Sequence, residues 1–209
     1  VAALAQCGSS PTFRKHYPEV AQAYLAKAEQ GWAFLTNALA RYGQDGAYQK
    51  LISYGNEFMH DDELAWAASE LFAATGQAGY HDALRRRVSP TSSATWRWSW
   101  WRLFEGYGNA IRTYALAVQT GRRTATEMDQ LFLSRCEGQI LAAGKDVMSR
   151  SRQNAYGTSF PRETKRVRTA GWYFSTDQAF DLAVASLLQP NAEILRAFLY
   201  NVNYEAGCN

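Results

Sequence analysis

Two helical runs in this chain close on the same signal, Ala-Ala-Thr-Gly at residues 73–76 and Val-Gln-Thr-Gly at 118–121. They lie about 45 residues apart, and each is followed within a few residues by another helical run. Helix pairs repeating at roughly 40–50 residues build either a helical solenoid or a closed ring of hairpins. No alternation of period two extends beyond a few residues. The feature therefore confines the chain to an all-α architecture. Long loops alternate with the tight Thr-Gly turns, which predicts tight turns on one rim and long, aromatic loops on the other.

The first of these runs, 61–76, reads as a helix capped by Asp61, with Glu63 in the first turn where a carboxylate suits the helix dipole. Leu64, Ala67, Ala68 and Leu71 form its inward stripe, and Gly76 supplies the stop. Pro18 opens a longer helix to about Tyr42, followed by Gly43. Further helices are expected at 80–88, from the tryptophan-rich stretch to Gly121, and from a Thr124 or Thr126 cap to about Ser149. Residues 171–188 read as a helix with Phe180, Ala183, Ala185 and Leu187 inside, and Asn191 caps a last helix to about Tyr204.

Aromatic residues are in excess, at 14% of the chain. Rings in such number either fill a core or pave a binding surface, because each offers a large rigid contact area at low entropic cost. A net charge of +3 is too small for a nucleic-acid protein. No apolar run of about 18 residues is present, so no transmembrane helix is expected. Cys7, Cys136 and Cys208 lie far apart without a Cys-x-x-Cys, which argues against a metal knot and a disulfide framework. Buried free thiols are expected instead. The chain opens at Val1 inside a helical run and closes at Asn209 straight after another. Both ends are expected to be cuts within a longer protein, so the lack of a targeting segment says nothing about location.

Four groups of residues are candidates for function. Trp96, Trp98, Trp100, Trp101, Phe104 and Tyr107 crowd a loop-to-helix junction. They form either a hydrophobic plug or a stacking platform, since the C–H faces of sugar rings pack on indoles much as bases do. Glu57, Asp61, Asp62 and Glu63 are acidic. They read as cap and dipole partners, as a carboxylate pair for glycoside hydrolysis, or as hard oxygen donors for calcium. Adjacent Asp61 and Asp62 diverge at a helix start, which makes them a poor acid/base pair. A basic loop carries Arg150, Arg152, Arg162, Lys165, Arg166 and Arg168 against one acid, Glu163. It is either a solvated loop or a positive rim for anionic groups of a substrate. His16, His60 and His81 are scattered and support no nucleophile–histidine arrangement.

The stretch DELAWAASELFAATG, residues 62–76, resembles the Asp-Glu-x-x-Trp-x-Ala-x-x-Leu-(Phe/Tyr)-x-x-Thr-Gly segment of glycoside hydrolase family 9, which holds cellulases and related β-glycosidases. Residues 13–32, with Tyr17-Pro18, Ala28 and Trp32, are similar to that family's Phe-Lys-x-Tyr-Asp-Pro…Ala-x-x-x-Trp helix. Residues 170–188 are similar to its Trp-Gly…Asn-x-Ala-Phe helix, with Asp177 in place of the Asn. The end, VNYEAGCN, resembles Asn-Tyr-x-Leu-Gly-x-Asn-Pro.

The resemblance implies an (α/α)6 barrel of the six-hairpin glycosidase type, of which residues 1–209 would be the central part of one domain. It implies inverting hydrolysis of β-glycosidic bonds in a cellulose-like β-glucan or related polymer, and the basic loop adds the expectation that this polymer is acidic or carries acidic branches. The family's Asp-x-Gly-Asp base motif is absent, and Asn56-Glu57 stands in the wrong segment to be its Asn-Glu acid, so no catalytic residue is assigned here. The loop at residues 96–101 also lacks the common Trp-Asp-Asp-Lys, so plain cellulose is not assumed as substrate. Trp98, Trp100, Trp101 and Tyr107 are expected to stack on sugar, with Tyr156, Phe160, Trp172 and Tyr173 as further candidates. Asp62 matches a position that helps hold structural calcium in some members. Partners would be a polysaccharide or oligosaccharide and the rest of the same barrel, in a secreted or periplasmic setting. The alternative is a non-catalytic carbohydrate-binding or helical interaction scaffold.

Overall fold

The computed structural model describes residues 1–43, 60–96, 101–103, 105–159 and 175–207, with only the backbone at 175–178. Among them the structure is α-helix joined by short loops and single 3-10 turns, without a strand. The helices are α1 (Ala2–Ser9), α2 (Pro11–His16), α3 (Pro18–Tyr42), α4 (Asp61–Thr75), α5 (Ala78–Arg87), α6 (Glu105–Leu116), α7 (Gln130–Ser151), α8 (Ser175–Leu188) and α9 (Ala192–Glu205). Neighbours in the chain pack as neighbours in space. α1 lies on α3, α4 on α5 and α6, α7 on α6 and α8, and α8 on α9, while α1 also reaches α4.

The two Thr-Gly closures are built alike. Thr75 Oγ1 donates to the carbonyl of Leu71 at 2.8 Å, and Thr120 Oγ1 donates to that of Leu116 at the same distance. Gly76 and Gly121 then turn with φ of 72° and 69°, a region that costs a side-chain-bearing residue dearly. The turns meet, because Arg123, two residues past Gly121, donates from Nε to the carbonyl of Ala73 at 3.1 Å. The expectation that tight turns share a rim holds. The long loops at 44–59 and 160–174 lie outside the described residues.

One apolar core runs from α4 to α9, with Leu84, Leu103, Ile111, Tyr114, Ile140 and Leu182 almost wholly enclosed. Each such aliphatic side chain contributes about 1.5–3 kcal/mol by leaving water. Leu71 joins Ala5 and Ala28 in a second cluster that ties α4 to α1 and α3. Small residues let helices close up. A Cβ on Gly144 of α7 would stand 2.5 Å from the Cβ of Ala185 on α8, so the approach of these helices requires glycine.

Several local expectations need correction. His60, not Asp61, is the N-cap of α4. Asp61 begins the helix, and its carboxylate faces Arg87 Nε at 3.4 Å instead of the helix amides. α4 is enclosed on more than the predicted stripe, since Ala65, Ser69, Glu70, Phe72 and Ala73 are buried too. Thr124 caps only a 3-10 turn, Ala125–Glu127. Asp129 starts α7 by accepting from the Phe132 amide at 3.0 Å. Phe180 and Leu187, placed inside, are 52% and 65% exposed; Ala179, Leu182, Val184 and Ala185 carry the buried face of α8. Cys136 is buried, but Cys7 is exposed, and Cys208 lies outside the described residues. Asn191 caps α9 as expected, its Oδ1 accepting from the amides of Glu193 and Ile194.

Candidate functional site

The tryptophan-rich stretch between η-turn Ser93–Thr95 and α6 is described at its two ends, Trp96 and Trp101; Trp98 and Trp100 lie outside the described residues. Trp101 is 6% exposed, and its indole N–H donates to Asp181 Oδ2 at 3.1 Å. Asp181 stands on the buried face of α8, and its other oxygen pairs with Arg112 Nη2. Arg112 extends from α6, donates to the carbonyl of Leu103 at 3.0 Å and to Asn109 Oδ1 at 3.1 Å, and lies 5.1 Å from the ring centre of Phe180. Trp96 is half-buried beneath the guanidinium of Arg102, 4.0 Å from its ring. Arg102 Nε in turn donates to Asp146 Oδ2 on α7 at 2.5 Å. Trp101, expected to face sugar, is thus a buried anchor.

The other predicted ring residues are dispersed. Tyr107 is half-buried at the start of α6 against the main core. Burial, with Asp61, Asp62 and Glu63 nearby, pushes its hydroxyl up to about 12, so it remains a donor at neutral pH. Tyr156 is 59% exposed beside Tyr204, ring centres 5.7 Å apart. Phe160, Trp172 and Tyr173 lie outside the described residues, as do Glu57 and the basic residues Arg162, Lys165, Arg166 and Arg168. Arg152 of that basic stretch is engaged by Glu193 at 2.5 Å.

At the head of α4, Asp62 Oδ2 accepts from the Gly106 amide at 3.3 Å, which fastens α4 to the start of α6. Burial and a hydrogen bond with Asp62 raise the Glu63 carboxyl to about 7, and His60 Nδ1 stands 3.6 Å from it. With 57% of the Glu63 side chain in solvent, water screens this effect. Calcium takes six to eight oxygens. Among the described residues no group of three or more acidic, His or Cys side chains converges on one point. Among the described residues, Asp62 is not joined by enough such side chains to make up the calcium site that the resemblance implies. A cleft of about 480 Å³ opens beside Glu63, walled by Leu35 and Leu39 of α3 and Leu64 and Trp66 of α4.

Sequence reasoning missed the two most enclosed carboxylates, Glu70 and Asp181. Glu70 of α4 accepts from Thr113 Oγ1 at 2.6 Å, Trp66 Nε1 at 3.1 Å and Arg122 Nη1 at 2.5 Å. The available signal was an acid inside an otherwise apolar helix face. Both carboxylates are buried and paired with arginine.

The model of glycosyl hydrolase family 9 matches residues 1–209. A xyloglucan-specific endo-β-1,4-glucanase of Bacteroides ovatus is 26% identical over 164 residues, which cover 74% of this chain and 26% of that enzyme. A metagenome-derived family 9 endoglucanase superposes with a TM-score of 0.71 at 25% identity, over 100% of this chain and 35% of its own. A family 9 protein of Bacteroides ovatus gives 0.70 at 20% identity, over 96% and 36%. A zinc-binding triple mutant of the family 9 endoglucanase J30 gives 0.70 at 16% identity, over 97% and 36%. The chain therefore spans about a quarter of its curated relative and about a third of these structures, which are (α/α)6 barrels. Matched along its whole length and carrying part of that barrel, the chain belongs to glycosyl hydrolase family 9.

Proposed function

We propose that this chain is part of a glycoside hydrolase that cleaves β-glycosidic bonds of a glucan-type polysaccharide, with water attacking under acid/base catalysis and inversion. The observation that carries this reading is the family match across all 209 residues. The role proposed for this segment is substrate contact: Trp98, Trp100 and Tyr107 stack on successive sugar units, with Tyr156, Phe160, Trp172 and Tyr173 extending the contact, while Trp101 anchors. The catalytic carboxylates are assigned to other parts of the barrel, because Glu70 and Asp181 are neutralised by arginine and the family's Asp-x-Gly-Asp is absent here. The name of the Bacteroides ovatus relative supports a β-1,4-linked backbone with side branches as the substrate class. The basic residues at 162–168 support a preference for anionic substituents. A secreted or periplasmic location follows from a polymeric substrate.

The test is reducing-end release by the full-length protein from xyloglucan, an unsubstituted β-glucan and a carboxymethylated β-glucan. Hydrolysis with inverted anomers in the first product is expected, with faster turnover of the anionic polymer that is lost in Arg166→Gln/Arg168→Gln. Retained anomers would remove the inverting mechanism, and equal rates would remove the anionic preference. Binding without any hydrolysis would establish the carbohydrate-binding scaffold instead.

A further inference from the structure

The second Thr-Gly turn also touches the start of the chain. Pro11, which opens α2, stands 3.7 Å from where a Cβ on Gly121 would lie, and Arg122 donates from Nη1 to Ser9 Oγ at the end of α1 at 3.3 Å. Between α1, α2 and this turn a cavity of about 410 Å³ remains. That size falls within the roughly 300–1,000 Å³ of small-ligand pockets. Its lining is of two kinds. One is the ring of Phe13, on which Tyr24 stacks at 5.8 Å with the planes 12° apart, while Tyr17 flanks it at 5.3 Å. Both tyrosines are exposed, so this aromatic cluster is open to solvent. The other kind is polar and comprises Gln6, Ser10, Thr120 and Arg122. Thr120, Ser9 and Glu70 hold the Arg122 guanidinium through Nε and Nη1, and among the described residues no hydrogen bond runs from Nη2.

Ligand classes differ in how they suit such a lining. An apolar ligand would leave the guanidinium and the hydroxyls unpaired, which costs free energy. A small anion would use Arg122 alone, and Glu70 already balances that charge. A sugar ring suits both kinds of wall: its C–H face packs on an aromatic ring, and the hydroxyls around its edge take donors and acceptors. We propose that this cavity beside Gly121 binds one unit of a carbohydrate chain. Phe13 is its stacking ring, and Gln6, Ser10 and Arg122 are the hydrogen-bond partners of the sugar hydroxyls. That the carbohydrate is a β-glucan rests on the function proposed above; the shape and chemistry of the cavity do not. The gain is one of multivalency, because a polymer already bound elsewhere on the protein meets the cavity at a high effective concentration.

Cys7 is exposed and lines the same cavity, so its thiol can report on occupancy. The test treats the full-length protein with iodoacetamide over a range of cellohexaose concentrations and follows the peptide that holds Cys7 by mass spectrometry. Saturating cellohexaose is expected to slow alkylation of Cys7 several-fold, and the concentration dependence gives a dissociation constant for this cavity. Phe13→Ala should raise that constant by roughly two- to tenfold, the scale of one ring contact. Gln6→Ala, at an exposed position, should raise it by a similar factor, the scale of one neutral hydrogen bond. No protection of Cys7, or protection unchanged in both variants, overturns the proposal. If Phe13→Ala does not fold, Gln6→Ala decides alone. Cellohexaose affinity is measured alongside by calorimetry in Trp98→Ala and Trp100→Ala. Lost affinity there without protection of Cys7 in the wild type removes the cavity and keeps the stacking reading of the tryptophans. Protection of Cys7 with wild-type affinity in both tryptophan variants does the reverse.

Discussion

At the scale of single residues, buried charge governs this protein. Glu70 and Arg122 are 52 residues apart in sequence and face each other with side chains 0% and 7% exposed. Glu70→Gln preserves shape but strands the guanidinium, and a loss of about 3–5 kcal/mol is expected, read as a shift in the denaturant midpoint. An unchanged midpoint would mean that Ser9 and water replace the carboxylate. His81 is a half-buried titratable group held neutral. It stacks between Phe72 and Tyr114, ring centres 4.9 and 5.4 Å away, with Phe132 edge-on. Burial holds its pKa below 6.5, an effect that Asp129 opposes and Arg85 assists. The unfolded chain therefore takes up this proton near pH 6.5, and the folded one only at lower pH. Stability contributed by neutral His81 is complete above that pH and declines as pH falls through it. Thermal midpoints measured from pH 8 to 5 should show this decline, and His81→Phe should flatten it. The partners of these residues were illegible beforehand: an acid within an apolar helix face signals burial, but what it pairs with, dozens of positions away, is not written locally.

The elements were far more legible, because their signals are local. Pro18, Gly43, Asn191 and the Thr-Gly pairs each act within a turn or two, and the helices they bound were found within a few residues. The misreadings came where a second local device competed. Thr124 did form a capping box, yet it served a 3-10 turn, and Asp129 five residues on took the helix. Phe180 was assigned to the core by hydrophobicity alone. Its ring instead offers a face to the Arg112 guanidinium, a contact that hydrophobic periodicity does not anticipate. Helix approach also depends on what is missing. Gly144→Val should force α7 from α8 at Ala185 and cost about 1–3 kcal/mol by overpacking, seen as a lowered thermal midpoint; Gly138→Val on the same helix, where a Cβ meets nothing within 4 Å, should shift it far less. Equal losses would point to helix propensity instead of crowding.

For the molecule as a whole, the fold class could be read from the helical repeat and the resemblance, whereas the candidate site could not be read as an arrangement. The predicted sugar-facing residues shared only aromaticity. The structure separates an anchor, Trp101, from an exposed ring, Tyr156. Exposed Phe34, Leu131, Leu187, Leu195 and Leu199 leave apolar surface on several helices of a chain that spans about a third of its structural relatives. Residues 1–209 produced alone are expected to bind a hydrophobic dye several-fold more strongly than the full-length protein, since large apolar patches are uncommon on a finished monomer. Equal dye binding would show that these faces stay open in the full-length protein.

The seam between the two Thr-Gly turns also bears on how such a protein can change over generations. Arg123 reaches from the second turn to the end of α4, and Arg122 beside it reaches Glu70 inside the same helix. A residue inserted just after Gly121 would displace both arginines together and undo two hairpins in one event. Variation in chain length should therefore be rare at this seam, because a single insertion there breaks contacts in both helical turns at once.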